Sequence, residues 1–175
     1  MVKIAVMGHG VVGSGVAELL QKNAAHIAAK AGEEIVLERV LDLREFPDLP
    51  YADKFTKHFS DILNDPAIQI VVETMGGLTP AYDYVKACLL SGKSVVTSNK
   101  ELVAQKGDEL LAIAKEKGLN FLFEASVGGG IPVLRPLDQC LAANEVSEVA
   151  GILNGTTNFM LTKMKRENMG FDEAL

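Results

Sequence analysis

A glycine pattern near the start of the chain has the spacing of a nucleotide-binding turn. The sequence GHGVVG follows an apolar run, Lys3–Met7, and leads into an amphipathic helical pattern. In such a turn the first glycine allows a tight bend, the second lets the backbone approach a pyrophosphate, and the third lets the helix pack against the strand. The helix start adds free N–H groups and a partial positive charge. The residues predicted to bind a dinucleotide here are Gly8, Gly10, Val11, Val12 and Gly13. A glycine-rich turn without a ligand is the alternative, and the strand-to-helix context favours the nucleotide site.

Two charged residues after the second predicted strand bear on the choice of nucleotide. Asp42 and Arg44 follow the strand candidate Ile35–Leu41. An acid at this place accepts hydrogen bonds from the adenosine ribose and favours NAD, whereas an arginine pairs with the additional phosphate of NADP. Because both are present, the cofactor is predicted to be NAD or NADP. A solvated surface charge is the alternative for Arg44.

Further candidates lie where later strands end. Glycines 76 and 77 and the segment from Ser98 to Lys100 follow two apolar runs, and ligands of open α/β sheets bind outside the carboxyl ends of the strands. Lys100 would place a cation at that crevice, or it could be a helix-capping or surface lysine. Glu124 precedes a loop of three glycines, so that one carboxylate and several backbone carbonyls are available to a hard cation. The alternative for Glu124 is a cap on a helix beginning at Pro132.

The elements that must position these residues alternate between strand and helix. The predicted strands are Lys3–Met7, Ile35–Leu41, Gln69–Thr74, Ser94–Ser98, Asn120–Glu124 and Val146–Ile152. Most are continuous apolar runs, which is typical of strands buried on both faces of a parallel sheet. The predicted helices run from Gly13, from an N-cap at Thr79 to Gly92, from about Gly107 to Lys117, and from Pro132 to about Ala143. The stretch from Arg44 to Lys57 is predicted to be an irregular loop.

This pattern predicts an α/β fold, a Rossmann-type doubly wound and mostly parallel sheet, with the beginning of a second domain at the C-terminus. We expect residues 1–150 to form the dinucleotide-binding domain and residues 151–175 to begin a substrate and dimerisation domain. The last residues, after Gly170, are predicted to start a helix with Asp172 near its N-cap, which is typical of a fragment.

Composition limits the kinds of binding partner and the cellular location that we expect for this protein. The chain is 48% hydrophobic and 23% charged, with a formal net charge of −6, and it has no basic block, so a nucleic-acid partner is not expected. No apolar run is long enough to span a membrane, and the N-terminus has no signal-peptide pattern. A cytoplasmic location is therefore expected. Cys88 and Cys140 are predicted to be buried and reduced.

Four later segments are more specific than the glycine turn. They are VETMGG at 72–77, TSNKELVA at 97–104, EASVGGGIP at 124–132 and GILNGTTN at 151–158. Together with the turn, in this order and at this spacing, they resemble the nucleotide domain of homoserine dehydrogenase over essentially the whole chain. The resemblance implies the NAD(P)H-dependent reduction of aspartate 4-semialdehyde to homoserine, in a protein that is a homodimer or a larger oligomer when complete.

The resemblance also implies roles for particular residues. Those expected to contact the cofactor in this half are Met75, Gly76, Ser98 and Lys100, with Lys100 near both the nicotinamide and the substrate. Gly155 and Thr156 are expected where the substrate meets the nicotinamide, although plain helix capping by Thr156 or Thr157 is the alternative. A sodium-type cation is implied between Glu124 and the carbonyls of Val127, Gly129 and Ile131.

The resemblance places the main proton donor and the acidic substrate-binding residues beyond residue 175. We therefore expect the isolated chain to bind nucleotide and to turn over little or not at all. Two other classes of function stay open. One is the nucleotide domain of another dehydrogenase of small carbonyl compounds or amino acids, which the Ser98–Lys100 and Asn154–Asn158 motifs disfavour. The other is a nonenzymatic dinucleotide-binding module, which the absence of a DNA-binding motif disfavours.

Overall fold

Six parallel strands form one sheet in the computed structural model, which describes all residues from Met1 to Leu175. The strand order is β3-β2-β1-β4-β5-β6. The strands are β1 (Val2–Met7), β2 (Ile35–Leu41), β3 (Phe55–Thr56), β4 (Ile68–Glu73), β5 (Ser94–Thr97) and β6 (Phe121–Leu122). Every pairing between neighbours is parallel, so the predicted α/β sheet is confirmed. The order reverses between β1 and β4, which is where ligands bind in sheets of this type.

Eight helices accompany the sheet. They are α1 (Val11–Lys22), α2 (Ala24–Ala31), α3 (Ser60–Leu63), α4 (Ala81–Leu90), α5 (Lys100–Lys117), α6 (Glu124–Gly128), α7 (Thr156–Glu167) and α8 (Phe171–Ala174). A 3-10 turn spans Ala52–Lys54, and a single π-helical turn spans Pro136–Cys140. None of the helices is long and apolar enough to cross a membrane.

The sheet is covered on both faces, as the doubly wound prediction requires. Ile4 and Val6 of β1 pack in one cluster with Ala17 of α1. Ala5 and Met7, which alternate with them along the strand, lie in a second cluster. That second cluster includes Val85 and Leu89 of α4 and Leu102 and Leu110 of α5. Since β1 is buried on both sides at residues 4–7, that part of its sequence is a continuous apolar run.

The chain divides into two units, Met1–Val133 and Leu134–Leu175. The first contains the sheet and α1 to α6, and the second contains the π-helical turn, α7 and α8. The boundary predicted after residue 150 concerns the domains of the longer protein and stays a prediction.

Several predicted elements in the sheet unit have other bounds. Helix α5 begins at Lys100 and not near Gly107, because Asn99 caps it by accepting a hydrogen bond from the N–H of Leu102 at 3.1 Å. Helix α4 has Pro80 at its N-cap position, so the predicted cap at Thr79 is wrong. The predicted irregular stretch from 44 to 57 contains β3, which pairs with the end of β2.

Two predictions for the second half of the chain are wrong. The segment predicted as the strand Val146–Ile152 has no strand and is exposed, because no neighbouring strand supplies hydrogen bonds to it. The helix predicted from Pro132 to about Ala143 has the wrong bounds, because only residues 134–140 are helical and the part from Pro136 to Cys140 is π-helical. Pro136 lacks the N–H that an α-helix needs at an interior position. Both cysteines are free, but Cys140 is exposed, so its predicted burial is wrong.

Candidate functional site

The glycine turn between β1 and α1 has the backbone geometry that the sequence predicted. Gly8 has a φ of +95°, a conformation that side chains disfavour. A Cβ on Gly13 would lie 1.9 Å from the carbonyl oxygen of Gly8, so only glycine lets the helix pack this closely. A Cβ on Gly10 would meet nothing within 4 Å, which leaves open space where a ligand would approach the backbone. The turn therefore provides a close approach to the start of α1.

Neighbouring strands hold this turn in place. The N–H of Gly8 donates to the carbonyl oxygen of Leu41 at 2.8 Å, and the Thr74 hydroxyl donates to the carbonyl oxygen of Gly8 at 2.9 Å. Val11, the first residue of α1, is 93% exposed, and Val12 beside it is also exposed. The unpaired N–H groups at a helix start carry a partial positive charge, which suits a phosphate group.

Asp42 and Arg44 form an ion pair at the carboxyl end of β2. The Arg44 guanidinium donates from Nε to Oδ1 of Asp42 at 3.0 Å and from Nη2 to Oδ2 at 2.9 Å. The N–H of His9 adds a hydrogen bond to Oδ2 at 2.7 Å. The hydrogen bonds from Arg44 hold the pKa of the Asp42 carboxyl well below its usual range, although partial burial opposes this. Both side chains line a cavity of about 280 Å³ that also includes Phe55 and Lys57.

From the sequence alone, the residue between the first two glycines of such a turn is expected to face solvent or the edge of the cofactor, but His9 lies inside an aromatic cluster. Its imidazole is only 6% exposed, and Nε2 lies 2.9 Å from the hydroxyl oxygen of Tyr51. The rings of Phe46, Tyr51 and Phe55 surround it. Burial lowers its pKa, with the nearby Asp42 acting in the opposite direction. The expectation was wrong because the cluster is built from the stretch after β2, which the sequence pattern left irregular.

The loops after β4 and β5 carry the other cofactor candidates. Met75 is half-buried and Gly76 is exposed after β4, while Ser98 is half-buried and Lys100 is exposed after β5. Lys100 is the first residue of α5, and its side chain takes part in no ion pair. Since β4 and β5 are parallel neighbours, the structure brings these two loops to the same edge of the sheet as the glycine turn.

Sequence reasoning assigned no individual role to three buried polar residues beneath those loops, although they lie in the motifs quoted above. Glu73 is 0% exposed at the end of β4 and accepts hydrogen bonds from its own loop and from the hydroxyl of Thr97. Asn99 is also buried and donates from Nδ2 to the carbonyl oxygen of Gly77 at 2.6 Å. The signal that could have found them is a glutamate at the end of an apolar strand, because a buried carboxyl group needs hydrogen-bond partners.

The comparison with known families agrees with this arrangement. Residues 8–124 match the NAD-binding domain of homoserine dehydrogenase, and residues 132–175 match a second family described as homoserine dehydrogenase. The chain belongs to the homoserine dehydrogenase family. The matched NAD-binding region contains the glycine turn, the Asp42–Arg44 pair and the loops after β4 and β5.

Individual relatives extend the match to nearly the whole chain. The homoserine dehydrogenase of Synechocystis is 42% identical over 99% of this chain and 40% of its own length. That of Bacillus subtilis is 39% identical over 99% of this chain and 41% of its own length. The chain therefore spans about 40% of the length of these curated relatives.

Solved structures of homoserine dehydrogenases share the fold. The enzyme of Thiobacillus denitrificans is 40% identical with a TM-score of 0.87, over 99% of this chain and 41% of that one. A hyperthermophilic archaeal homoserine dehydrogenase in complex with NADPH is 26% identical with a TM-score of 0.81, over 99% of this chain and 59% of that one.

In this member of the homoserine dehydrogenase family, a hydrogen bond joins the two ends of the segment that contains the candidate cation site. Oε1 of Glu124 accepts a hydrogen bond from the N–H of Val133 at 2.5 Å, so the carboxyl group joins the two ends of the glycine loop. Val127 lies in α6, Gly129 follows it, and Ile131 is exposed. No cluster of three or more His, Cys, Asp or Glu side chains is placed to hold a metal ion. The predicted cation site differs from such a cluster, because its donors are one carboxylate and three backbone carbonyl oxygens.

The candidate substrate residues belong to the second unit. Gly155 is the N-cap residue of α7 and Thr156 is its first residue, and both are exposed. The cap is made by Asn154, whose Oδ1 accepts a hydrogen bond from the N–H of Thr157 at 2.9 Å. The alternative of capping by a threonine hydroxyl is therefore wrong.

Proposed function

We propose that the full-length protein containing this chain is a homoserine dehydrogenase, which reversibly reduces aspartate 4-semialdehyde to homoserine with NADH or NADPH. The observation that carries the proposal is the glycine turn. The close approach of Gly13 to Gly8 in this turn brings the start of α1 against the strand. The space beside Gly10 is open, so a ligand could approach the backbone there. The substrate is inferred from family membership, since a nucleotide-binding fold alone does not determine the reaction.

The chain's own residues would bind and orient the dinucleotide. The N–H groups of Val11 and Val12 would face the pyrophosphate, and the Asp42–Arg44 pair would face the adenosine ribose. When bound, the nicotinamide supplies the hydride that reaches the aldehyde carbon. Met75, Gly76 and Ser98 would hold that end in contact with the substrate, because reaction requires the two carbons to be close and aligned.

Lys100 would contribute positive charge as the aldehyde oxygen becomes negative. Its exposed position at the start of α5 leaves the ammonium group free to approach a ligand. Gly155 and Thr156 are proposed to contact the amino-acid part of the substrate. The proton donor is proposed to lie beyond residue 175, and the complete enzyme is proposed to be a cytoplasmic homodimer or larger oligomer.

The test of the reaction is an assay of the full-length protein for aspartate-semialdehyde-dependent oxidation of NADH and NADPH. We expect turnover with one or both nucleotides, and a turnover rate at least tenfold lower in Lys100→Ala. Turnover of other small aldehydes in preference to aspartate semialdehyde would instead support the dehydrogenase alternative. Nucleotide binding without turnover of any aldehyde would support the nonenzymatic module.

The choice between NAD and NADP is tested by Arg44→Ala. In the structure, Asp42 and Arg44 are paired with each other, and Lys57 is paired with Glu45 at 2.7 Å. Selective loss of NADPH affinity in Arg44→Ala would assign NADP, because the guanidinium would then be pairing with the additional phosphate. Selective loss of NADH affinity in Asp42→Ala, with Arg44→Ala unchanged, would assign NAD.

A sodium-type cation is proposed between Glu124 and the carbonyls of Val127, Gly129 and Ile131. Support comes from the donor set, because hard cations prefer oxygen ligands, and from the loop closure that Glu124 makes at Val133. Thermal unfolding of the full-length protein in sodium chloride and in choline chloride tests it. We expect a higher Tm in sodium for the wild type and no such difference in Glu124→Gln; equal Tm values for the wild type would contradict the site.

A further inference from the structure

A buried carboxyl group sits beneath the loop that follows β4. Oε1 of Glu73 accepts hydrogen bonds from the N–H groups of Met75 at 2.8 Å and Gly76 at 3.3 Å. Oε2 accepts one from the Thr97 hydroxyl at 2.6 Å. All of these donors are neutral, although Glu73 is 0% exposed. Such burial is unfavourable unless the hydrogen bonds are kept, so the geometry of the loop and of Thr97 is tied to this one side chain.

Further hydrogen bonds connect Thr97 to the loop after β5 and connect that loop back to the loop after β4. Thr97 Oγ1 accepts a hydrogen bond from the N–H of Asn99 at 2.9 Å, and Asn99 Nδ2 donates to the carbonyl oxygen of Gly77 at 2.6 Å. The network of Glu73, Thr97 and Asn99 therefore links the loop after β4 to the loop after β5 at two points. Ser98 and Lys100 flank Asn99 in the chain, so the network fixes the backbone on which both are carried.

The topology indicates which half of a dinucleotide lies over these loops. A dinucleotide crosses the sheet at the point where the strand order reverses, with one half over each set of strands. The acid that recognises the adenosine ribose follows β2, and here that acid is Asp42. The loops after β4 and β5 are on the other side of the reversal and would face the nicotinamide half.

We propose that the Glu73–Thr97–Asn99 network is a positioning device that fixes the two loops facing the nicotinamide half of the dinucleotide. The inference rests on the proposed function. The three residues act through Met75, Gly76, Ser98 and Lys100 and are buried away from the ligand themselves. Loosening the network should therefore weaken recognition of the nicotinamide half and leave recognition of the adenosine half unchanged.

The test compares two ligands in the full-length protein. One is NADH or NADPH, whichever the wild type binds more tightly, and the other is ADP-ribose, which lacks the nicotinamide. Asn99→Asp keeps the oxygen that caps α5 and loses the donor to Gly77, so it breaks one link between the loops without removing the helix cap. Thr97→Val keeps the shape of the side chain and removes the hydroxyl that joins Glu73 to Asn99.

We expect both variants to bind the dinucleotide about tenfold more weakly and ADP-ribose within about twofold of the wild type. Thr97→Ser, which keeps the hydroxyl, should restore dinucleotide affinity. Tyr82→Phe is the matched control, because it removes a hydroxyl that joins α4 to α5 through Glu109, outside the network. It should bind both ligands as the wild type does.

The outcomes separate this inference from the proposed function. A wild type that binds neither ligand would contradict the proposed function. A wild type that binds both, with equal losses for the two ligands in Asn99→Asp and Thr97→Val, would show a general structural role and overturn the positioning role. Unchanged dinucleotide affinity in both variants would overturn it as well. If Thr97→Val does not fold, Asn99→Asp decides alone, since its helix cap is retained.

Discussion

Replacing Gly13 with alanine should destabilise the protein, whereas the same change at Gly15 should stabilise it. The two glycines lie in the same helix, α1. An added Cβ would be 1.9 Å from the Gly8 carbonyl oxygen at Gly13 and would meet nothing within 4 Å at Gly15. Non-bonded heavy atoms need about 3.5 Å, so the start of α1 must move by more than about 1 Å to accept the methyl group at Gly13.

Both variants gain helix propensity, but only Gly13→Ala also suffers from overpacking. Alanine in place of a helical glycine contributes about 1 kcal/mol in favour of the folded state at both positions. Forced overpacking costs about 3 kcal/mol at Gly13, the upper end of the usual range, because the clashing atom is in the backbone and cannot rotate away. The net effect is a loss of about 2 kcal/mol for Gly13→Ala and a gain of about 1 kcal/mol for Gly15→Ala.

Calorimetry of the nucleotide-free protein would measure both effects. For a domain of this size we expect Tm to fall by about 4–8 °C in Gly13→Ala and to rise by about 2–4 °C in Gly15→Ala. Nucleotide affinity should also fall in Gly13→Ala, because the displaced helix start is the proposed pyrophosphate site. If Gly13→Ala melted at or above the wild-type temperature, the close packing of α1 against the turn would be refuted.

Three other features give expectations of their own. Burial lowers the pKa of His9, so its contribution to stability is complete above the ordinary value of 6.5 and is lost as the pH falls below it. Urea unfolding at a series of pH values below 6.5 should show this loss in the wild type and not in His9→Leu. Burial raises the pKa of the Cys88 thiol to about 12, so a thiol reagent should modify only the exposed Cys140 in the native chain and both thiols in urea. Buried Lys93 donates to two backbone carbonyl oxygens at 2.6 and 2.9 Å, so Lys93→Met should lower the free energy of unfolding by about 1–3 kcal/mol. As a control, Lys57→Met at the surface should change the free energy of unfolding by less than about 0.5 kcal/mol in the same urea titration.

The central strands could be predicted because burial on both faces leaves a direct pattern in the sequence. Residues 4–7 of β1 are an apolar run followed by glycine, and β2 is apolar apart from Glu38 and Arg39 and is followed by an acidic residue. Both strands were located to within one residue. The segment predicted as Val146–Ile152 has a similar composition and is not a strand. Composition reports that a segment can be buried, but whether a partner strand lies beside it depends on the rest of the fold.

The candidate site divides in the same way. The glycine turn could be placed because its requirements are local: a positive φ at Gly8 and space for only a hydrogen atom at Gly13. The environment of His9 could not, because its neighbours come from a stretch whose path the sequence pattern does not determine. The roles of Glu73 and Asn99 depend on the alignment of two strands that are separated in sequence, and no local pattern encodes that alignment.

The two outer strands of the sheet, β3 and β6, have only two residues each. A long outer strand would offer a row of unpaired N–H and C=O groups on which an unrelated extended peptide could add itself. Here each outer strand pairs with only two residues of its inner neighbour, and by itself it offers too few such groups in register to hold a further strand. Such short outer strands are one way in which a sheet limits its growth from molecule to molecule, which is the first step of β-type aggregation.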